Sequence, residues 1–147
     1  MNILELNKLI ESVALTVPNV NSYSGDDVYE VWNTTEIKYG SMSFNLQTTS
    51  QTNNTRTFIG VLYYADRLTE DKSNRLQVYA DADNAISNVL TFLADNSEDQ
   101  ISIADYQITH FQQKFADYLA GGYATVNITV GNTCDIVLLQ SKITESK

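Results

Sequence analysis

The sequence predicts an α+β domain, a mainly antiparallel sheet with two helices packed on one face, in the order α-β-β-β-α-β-β. Three observations carry that reading. Apolar residues recur at steps of three and four in two segments, near the N-terminus and in the middle of the chain. Most of the remaining apolar residues alternate with polar ones at the period of a half-buried strand. The connections between these segments are short, with no internal repeat and no linker rich in proline or glycine, so a single domain spanning residues 1–147 accounts for the chain.

In the first helix Ile3, Leu6, Ile10, Val13 and Val17 form one stripe, which ends just before Pro18 because a residue preceding proline is pushed out of helical geometry. Asn19 to Asp27, with Ser24-Gly25-Asp26, reads as a loop. Val28 to Asn33 alternates as a strand. Tyr39 to Thr49 alternates more cleanly, with Met42, Phe44 and Leu46 opposite Ser41, Ser43, Asn45 and Gln47. Residues 47–57 are nearly all Thr, Gln, Asn and Ser, and the stretch 47–55 is either the tip of a polar hairpin or a loose loop. Gly60 inside the next strand, Arg56 to Ala65, suggests a bulge or a close backbone approach.

The middle helix, Lys72 to Asn96, carries Leu76, Tyr79, Ala82, Ile86, Val89, Leu90 and Leu93 on one face. An acidic turn, Asn96 to Gln100, leads to a strand from about Ile101 to Asp117. Gly121-Gly122 then reads as a turn into a last strand, in which Ala124, Val126, Ile128 and Val130 share one face and Tyr123, Thr125, Asn127 and Thr129 the other. A short apolar run, Ile136 to Leu139, precedes a polar tail at 140–147 that is loose or partner-bound.

Composition narrows the function. Nine Lys and Arg against eighteen Asp and Glu give a net charge of -9, which repels phosphates and argues against a sequence-reading DNA binder. A lone cysteine, Cys134, cannot form an intramolecular disulfide and suits assembly in a reducing cytoplasm. Without an apolar run of about 18 residues, and with Glu5, Lys8 and Glu11 inside the first apolar pattern, neither a membrane span nor a signal peptide is expected. The triplets at Asn33, Asn53 and Asn127 match a glycosylation acceptor but read as strand and turn residues.

Catalytic chemistry finds little support. A triad or zinc site needs histidine or clustered cysteine, and His110 and Cys134 are isolated in sequence. His110 reads as a strand residue with a structural role. Asp81 and Asp83 read as a solvated helix flank rather than metal ligands. Gly121-Gly122 lacks the following helix N-terminus of a phosphate cradle. Asp26-Asp27 and Glu98-Asp99 fall in loops with no visible pocket. The expectation is therefore a protein that is not an enzyme, with no catalytic residue, no cofactor and no metal. Two rivals stand beside it: a small ligand- or carbohydrate-binding module using the strands that hold Tyr63, Tyr64 and Tyr123, and a metal-dependent hydrolase using Asp26, Asp27 or Asp66.

The order of elements, with an N-terminal amphipathic helix, a polar hairpin, a middle helix and a final hairpin, resembles the tail terminator and neck ring (head-to-tail connector) proteins of tailed bacteriophages. The pattern Phe111-x-x-x-Phe115-Ala116-Asp117, then Gly121-Gly122-Tyr123 and Val126-x-Ile128-x-Val130, is similar to small proteins of phages and prophages of gut Bacteroides, including the crAss-like phages. The resemblance spans about Met1 to Asn132. It implies a tail-terminator-like fold and a virion protein in the neck or tail, assembled in the host cytoplasm. It further implies a homo-oligomeric ring, a hexamer or dodecamer, between the portal and the distal tail proteins, with a channel that passes genome DNA without sequence-specific binding and without a membrane. An acidic lumen suits that role, since phosphate binding requires cations the chain is short of.

Overall fold

A computed structural model describes residues 1–25, 39–69, 71–95, 101–114 and 118–131. Within these, the architecture is α+β: two helices and a six-stranded, mostly antiparallel sheet. The expected strand at Val28 to Asn33, the acidic turn after Asn96, the run Ile136 to Leu139 and the tail at 140–147 lie outside the described residues.

Helix α1 (Ile3–Ala14) starts at a capping box: the Asn2 side chain accepts the Glu5 N–H, and the Glu5 carboxylate accepts the Asn2 N–H, satisfying donors that an uncapped helix leaves unpaired. Leu6, Leu9, Ile10, Val13 and Ala14 are buried. The helix stops earlier than Pro18 demands. Tight i to i−3 bonds from the Thr16 and Val17 N–H groups, and the Thr16 hydroxyl on the Val13 carbonyl at 2.6 Å, close its last turn. Val17 and Val20 are still buried beneath it.

A strand then appears where a loop was expected. β1 (Ser22–Ser24) runs parallel to the start of β2 (Ser41–Gln51), which forms an antiparallel hairpin with β3 (Thr55–Arg67). Three residues are too few to show an alternation, and so β1 carried no sequence signal. Residues 47–55 are the end of β2, its turn and the first residue of β3. The Thr52 side chain bonds Thr55 across that turn. The β2–β3 register slips at Gln47, because Leu46 pairs with Gly60 and Thr48 with Ile59. A β-carbon on Gly60 would stand 2.6 Å from the Asn45 carbonyl oxygen, so the bulge and the close approach meet at this point.

Helix α2 (Arg75–Asp95) begins later than Lys72. The Asn74 side chain accepts from Thr69 N–H and donates to the Arg67 carbonyl, while Asp71 accepts from Ser73 N–H and the Thr69 hydroxyl. Such local side-chain bonds offer the backbone an alternative to helix and delay its start. Val78, Ala82, Ala85, Ile86, Val89, Leu90 and Leu93 face the sheet. Leu76, expected on that face, is 73% exposed, and Tyr79 is only half-buried.

The C-terminal part corrects the expected hairpin. The expected strand from Ile101 is split into β4 (Ile101–Ile103) and β5 (Thr109–Lys114), both antiparallel to β6 (Tyr118–Gly131). Gly121 and Gly122 are not a turn. They lie inside β6, between Ala65 and Tyr64 of β3 on one side and Phe111 and His110 of β5 on the other. Neither has a positive φ, and a β-carbon on Gly121 would fall on the Tyr64 carbonyl oxygen. Glycine serves close approach here, where a turn would use its left-handed freedom.

The path across the sheet is β1-β2-β3-β6-β4, with β5 also beside β6. Met42, Phe44, Phe58, Leu62 and Tyr64 join Ala124, Val126, Ile128 and Val130 on the helix side, where both helices bury their apolar faces. On the other side Tyr63, Tyr123 and Phe111 pack in a row, with centroid separations of 5.7 Å and 6.4 Å, around buried Ala65 and Leu119. Among the described residues, no helix is long and apolar enough to cross a membrane.

Candidate functional site: an open strand edge and an edge cleft

His110 is not isolated in space. Its Nε2 lies 2.7 Å from Asp83 Oδ1, and its ring stacks on Tyr79 at 4.6 Å. Tyr79 and Asp83 sit four residues apart on α2, one turn above each other, so this trio clamps the helix to β5. The sequence hides it because the partners lie 27 positions apart. Among the described residues no nucleophile is bonded to the ring, and both partners are substantially exposed, so the geometry is that of a fastening between two elements.

Asp81 is engaged as well. It accepts from Asn19 at 3.3 Å and Gln77 at 2.9 Å, and thereby ties α2 to the segment after α1. Asp81 and Asp83 stay on the solvated flank of α2, and each is hydrogen-bonded there. The Tyr64 hydroxyl, in the core, donates to the Asn19 carbonyl at 3.3 Å, and burial holds its ionisation well above the ordinary tyrosine range. Tyr23 is treated alike: burial raises its pKa, and its hydroxyl donates to Asn7 at 2.6 Å.

Asp66, one of the residues considered for metal-dependent hydrolysis, stands at the end of β3. Burial raises its carboxyl above the usual range; the Arg67 N–H at 2.7 Å opposes that shift, and the Asp81 charge adds to it. Asp26, Asp27, Glu98, Asp99 and Cys134 lie outside the described residues. Among the described residues, no group of three or more His, Cys, Asp or Glu side chains is placed to hold a metal ion.

A raised folded-state pKa means that the ionised form is the disfavoured one in the native protein. Its stabilising contribution is present below the unfolded carboxylate pKa and is lost as pH rises through the folded value. Asp66→Asn keeps an acceptor for the Arg67 N–H and removes the charge. It is expected to raise the urea midpoint at about pH 7 and to leave it unchanged at about pH 3, where both forms are neutral. A lower midpoint at neutral pH would show that the carboxylate is stabilising instead.

Two surface features remain once these contacts are assigned. The first is the outer half of β2. Leu46, Gln47, Thr48, Thr49, Ser50 and Gln51 are all exposed, which in an alternating strand means that both faces of the sheet meet water there. β1 pairs with β2 only at Ser41–Ser43, so among the described residues the edge from Phe44 to Gln51 has no neighbouring strand. From Tyr39 to Thr55 the chain contains no charged residue. Natural edges are usually blunted by lysine, proline or short length, and among the described residues this one is blunted by its bulge at Gln47 alone.

The second is a cleft of about 860 Å³ at the opposite edge of the sheet. β5 pairs with β6 up to Tyr123 and β4 pairs with it from Ile128, so Ala124–Asn127 lack a strand on that side among the described residues. The Ala104 N–H reaches the Asn127 carbonyl at 3.2 Å, and the chain then bows outward to Ile108. The space between this bow and the C-terminal half of α2 is the cleft. Leu90 and Ile103 give it apolar wall, while Thr91, Asp95, Asp105, Tyr106, Gln107 and Thr125 supply polar groups. Nothing in the sequence singled it out, because it arises from an interruption of strand pairing.

The tyrosines considered for ligand binding divide between the two faces of the sheet. Tyr64 is fully buried, and Tyr63 and Tyr123 pack on each other. No protein-family model matches the chain, and no curated protein is similar to it.

Proposed function

We propose that the protein is a structural subunit of a tailed-phage neck or tail, assembled as a closed ring of identical copies around a channel for the genome. The observation that carries this reading is the outer half of β2, an uncharged, solvent-exposed strand edge in a chain of net charge -9. Copies of so acidic a chain repel one another wherever carboxylates meet, so association is favoured through surface that carries no charge. Leu46–Gln51 is such a surface, and its backbone groups, which meet no neighbouring strand on the outer side among the described residues, favour pairing with another chain. The remaining acidic excess then faces water, including the channel, where it discourages DNA from adhering during passage. The α+β architecture, with a long hairpin and two helices on one sheet face, agrees with the resemblance to tail terminator and neck proteins drawn from the sequence.

Light scattering during size-exclusion chromatography, combined with negative-stain microscopy, tests this. The expected result is a closed ring of fixed copy number that dissociates into folded monomers on dilution. A protein that stays monomeric at high concentration, and that a reconstruction of the virion places as single copies on the capsid exterior, would overturn the reading.

A further inference from the structure

We infer that the open edge of β2 in one copy docks into the cleft between β4 and β5 of the next, giving a head-to-tail contact; this rests on the ring reading above. A ring needs two different patches on each subunit, facing in different directions, because a patch that pairs with itself closes a dimer and stops. The edge of β2 and the cleft lie at opposite edges of one sheet. Among the described residues each is also incomplete in a way the other can complete: β2 has no neighbouring strand on its outer side from Phe44 to Gln51, and β6 has none beside Ala124–Asn127, where the Ala104 N–H already takes the Asn127 carbonyl. Strand addition to an exposed sheet edge is a recurrent mode of recognition, with main-chain bonds giving affinity and alternate side chains giving specificity.

Charge selects the same pairing. Among its described lining residues the cleft holds two exposed carboxylates, Asp95 and Asp105, and no Lys or Arg. A second copy approaches it more favourably with a segment that lacks negative charge and donates hydrogen bonds. Gln47, Thr48, Thr49, Ser50 and Gln51 supply amide and hydroxyl donors and no charge, whereas the helices carry carboxylates, Glu5 and Glu11 on α1 and Asp81, Asp83 and Asp95 on α2.

Cross-linking of mixed single-cysteine variants tests the contact. In a Cys134→Ser background, Thr49→Cys on the exposed edge and Thr91→Cys in the cleft are made separately and joined with a short bis-maleimide. The expected result is a cross-linked dimer only when the two variants are mixed. A dimer from Thr49→Cys alone would show self-pairing of the edge, and no product in the mixture would exclude the contact; either overturns the inference. Association by light scattering gives a second readout. Thr49→Glu should weaken it at least tenfold by placing a third carboxylate near Asp95 and Asp105, while Thr49→Lys should retain it. Equal effects of the two would exclude the acidic cleft as acceptor. The two proposals fail separately: closed rings without the mixed cross-link leave the ring and refute this contact, and the mixed cross-link in open chains leaves the contact and refutes the ring.

Discussion

Gly121→Ala is expected to destabilise the protein by about 3 kcal/mol or more, toward the upper end of what overpacking a folded interior costs. The added carbon would fall on the Tyr64 carbonyl oxygen and stand 2.9 Å from the Ala65 α-carbon. Both are backbone atoms in a strand that is itself paired on its far side with β2, so neither can swing away as a side chain would. Gly122→Ala is the internal control. Its nearest contacts are side-chain carbons, Ile108 at 3.0 Å and Ala82 at 3.3 Å, and the reduced freedom of the unfolded chain offsets part of that crowding. The urea midpoint of Gly122→Ala should therefore fall by much less. Equal losses at the two positions would favour a glycine turn, in which both residues are strained for the same conformational reason, over the central strand register described above.

That pair of glycines also shows where sequence reasoning reached its limit. The face assignment in β6 was legible, because Ala124, Val126, Ile128 and Val130 alternate with polar residues and all four are buried. The place where the hairpin turns was not. Two adjacent glycines signal a turn by composition, yet the same absence of a side chain serves a site where strands press together, and only the neighbouring strand distinguishes the two. The helices behaved similarly. Leu6, Ile10 and Val13 pointed inward as their spacing predicts, while Leu76, in the first turn of α2, is exposed although Val78 two residues on is buried. β1 left no pattern at all, being three residues long and paired in parallel.

The candidate site was less legible than the fold, for a related physical reason. The polar composition of residues 47–55 was evident, and it gave either a hairpin or a loose loop. It became a candidate for an interaction surface only when pairing showed which side of β2 lacks a neighbouring strand among the described residues. The cleft depends on a missing stretch of pairing beside Ala124–Asn127, and absence of a partner leaves no mark on the residues themselves. His110 looked solitary because its partners, Tyr79 and Asp83, come from a helix distant in sequence.

Ile10→Asp should be the most damaging change on α1, costing about 3 kcal/mol or more out of a total stability that for a domain is about 5–15 kcal/mol. Ile10 is 1% exposed and sits in the cluster formed by both helices and the sheet. An aspartate there loses the burial of the isoleucine and places a carboxylate where the neighbouring buried side chains of α1, Leu6, Leu9, Val13 and Ala14, are all apolar. Its charged form is the disfavoured one, so its folded-state pKa must rise. The deficit should then shrink as the buffer is taken from about pH 7 toward about pH 4, since a neutral carboxylic acid costs less to bury than a carboxylate. Two companions fix the interpretation. Ile10→Val removes one methylene and should cost about 0.5–1.5 kcal/mol at either pH. Leu4→Asp introduces the same charge on the same helix at a residue that is 71% exposed, and should stay within about 0.5 kcal/mol of the parent. If Ile10→Asp and Leu4→Asp unfolded at the same urea concentration, α1 would not be packed on the sheet by this face.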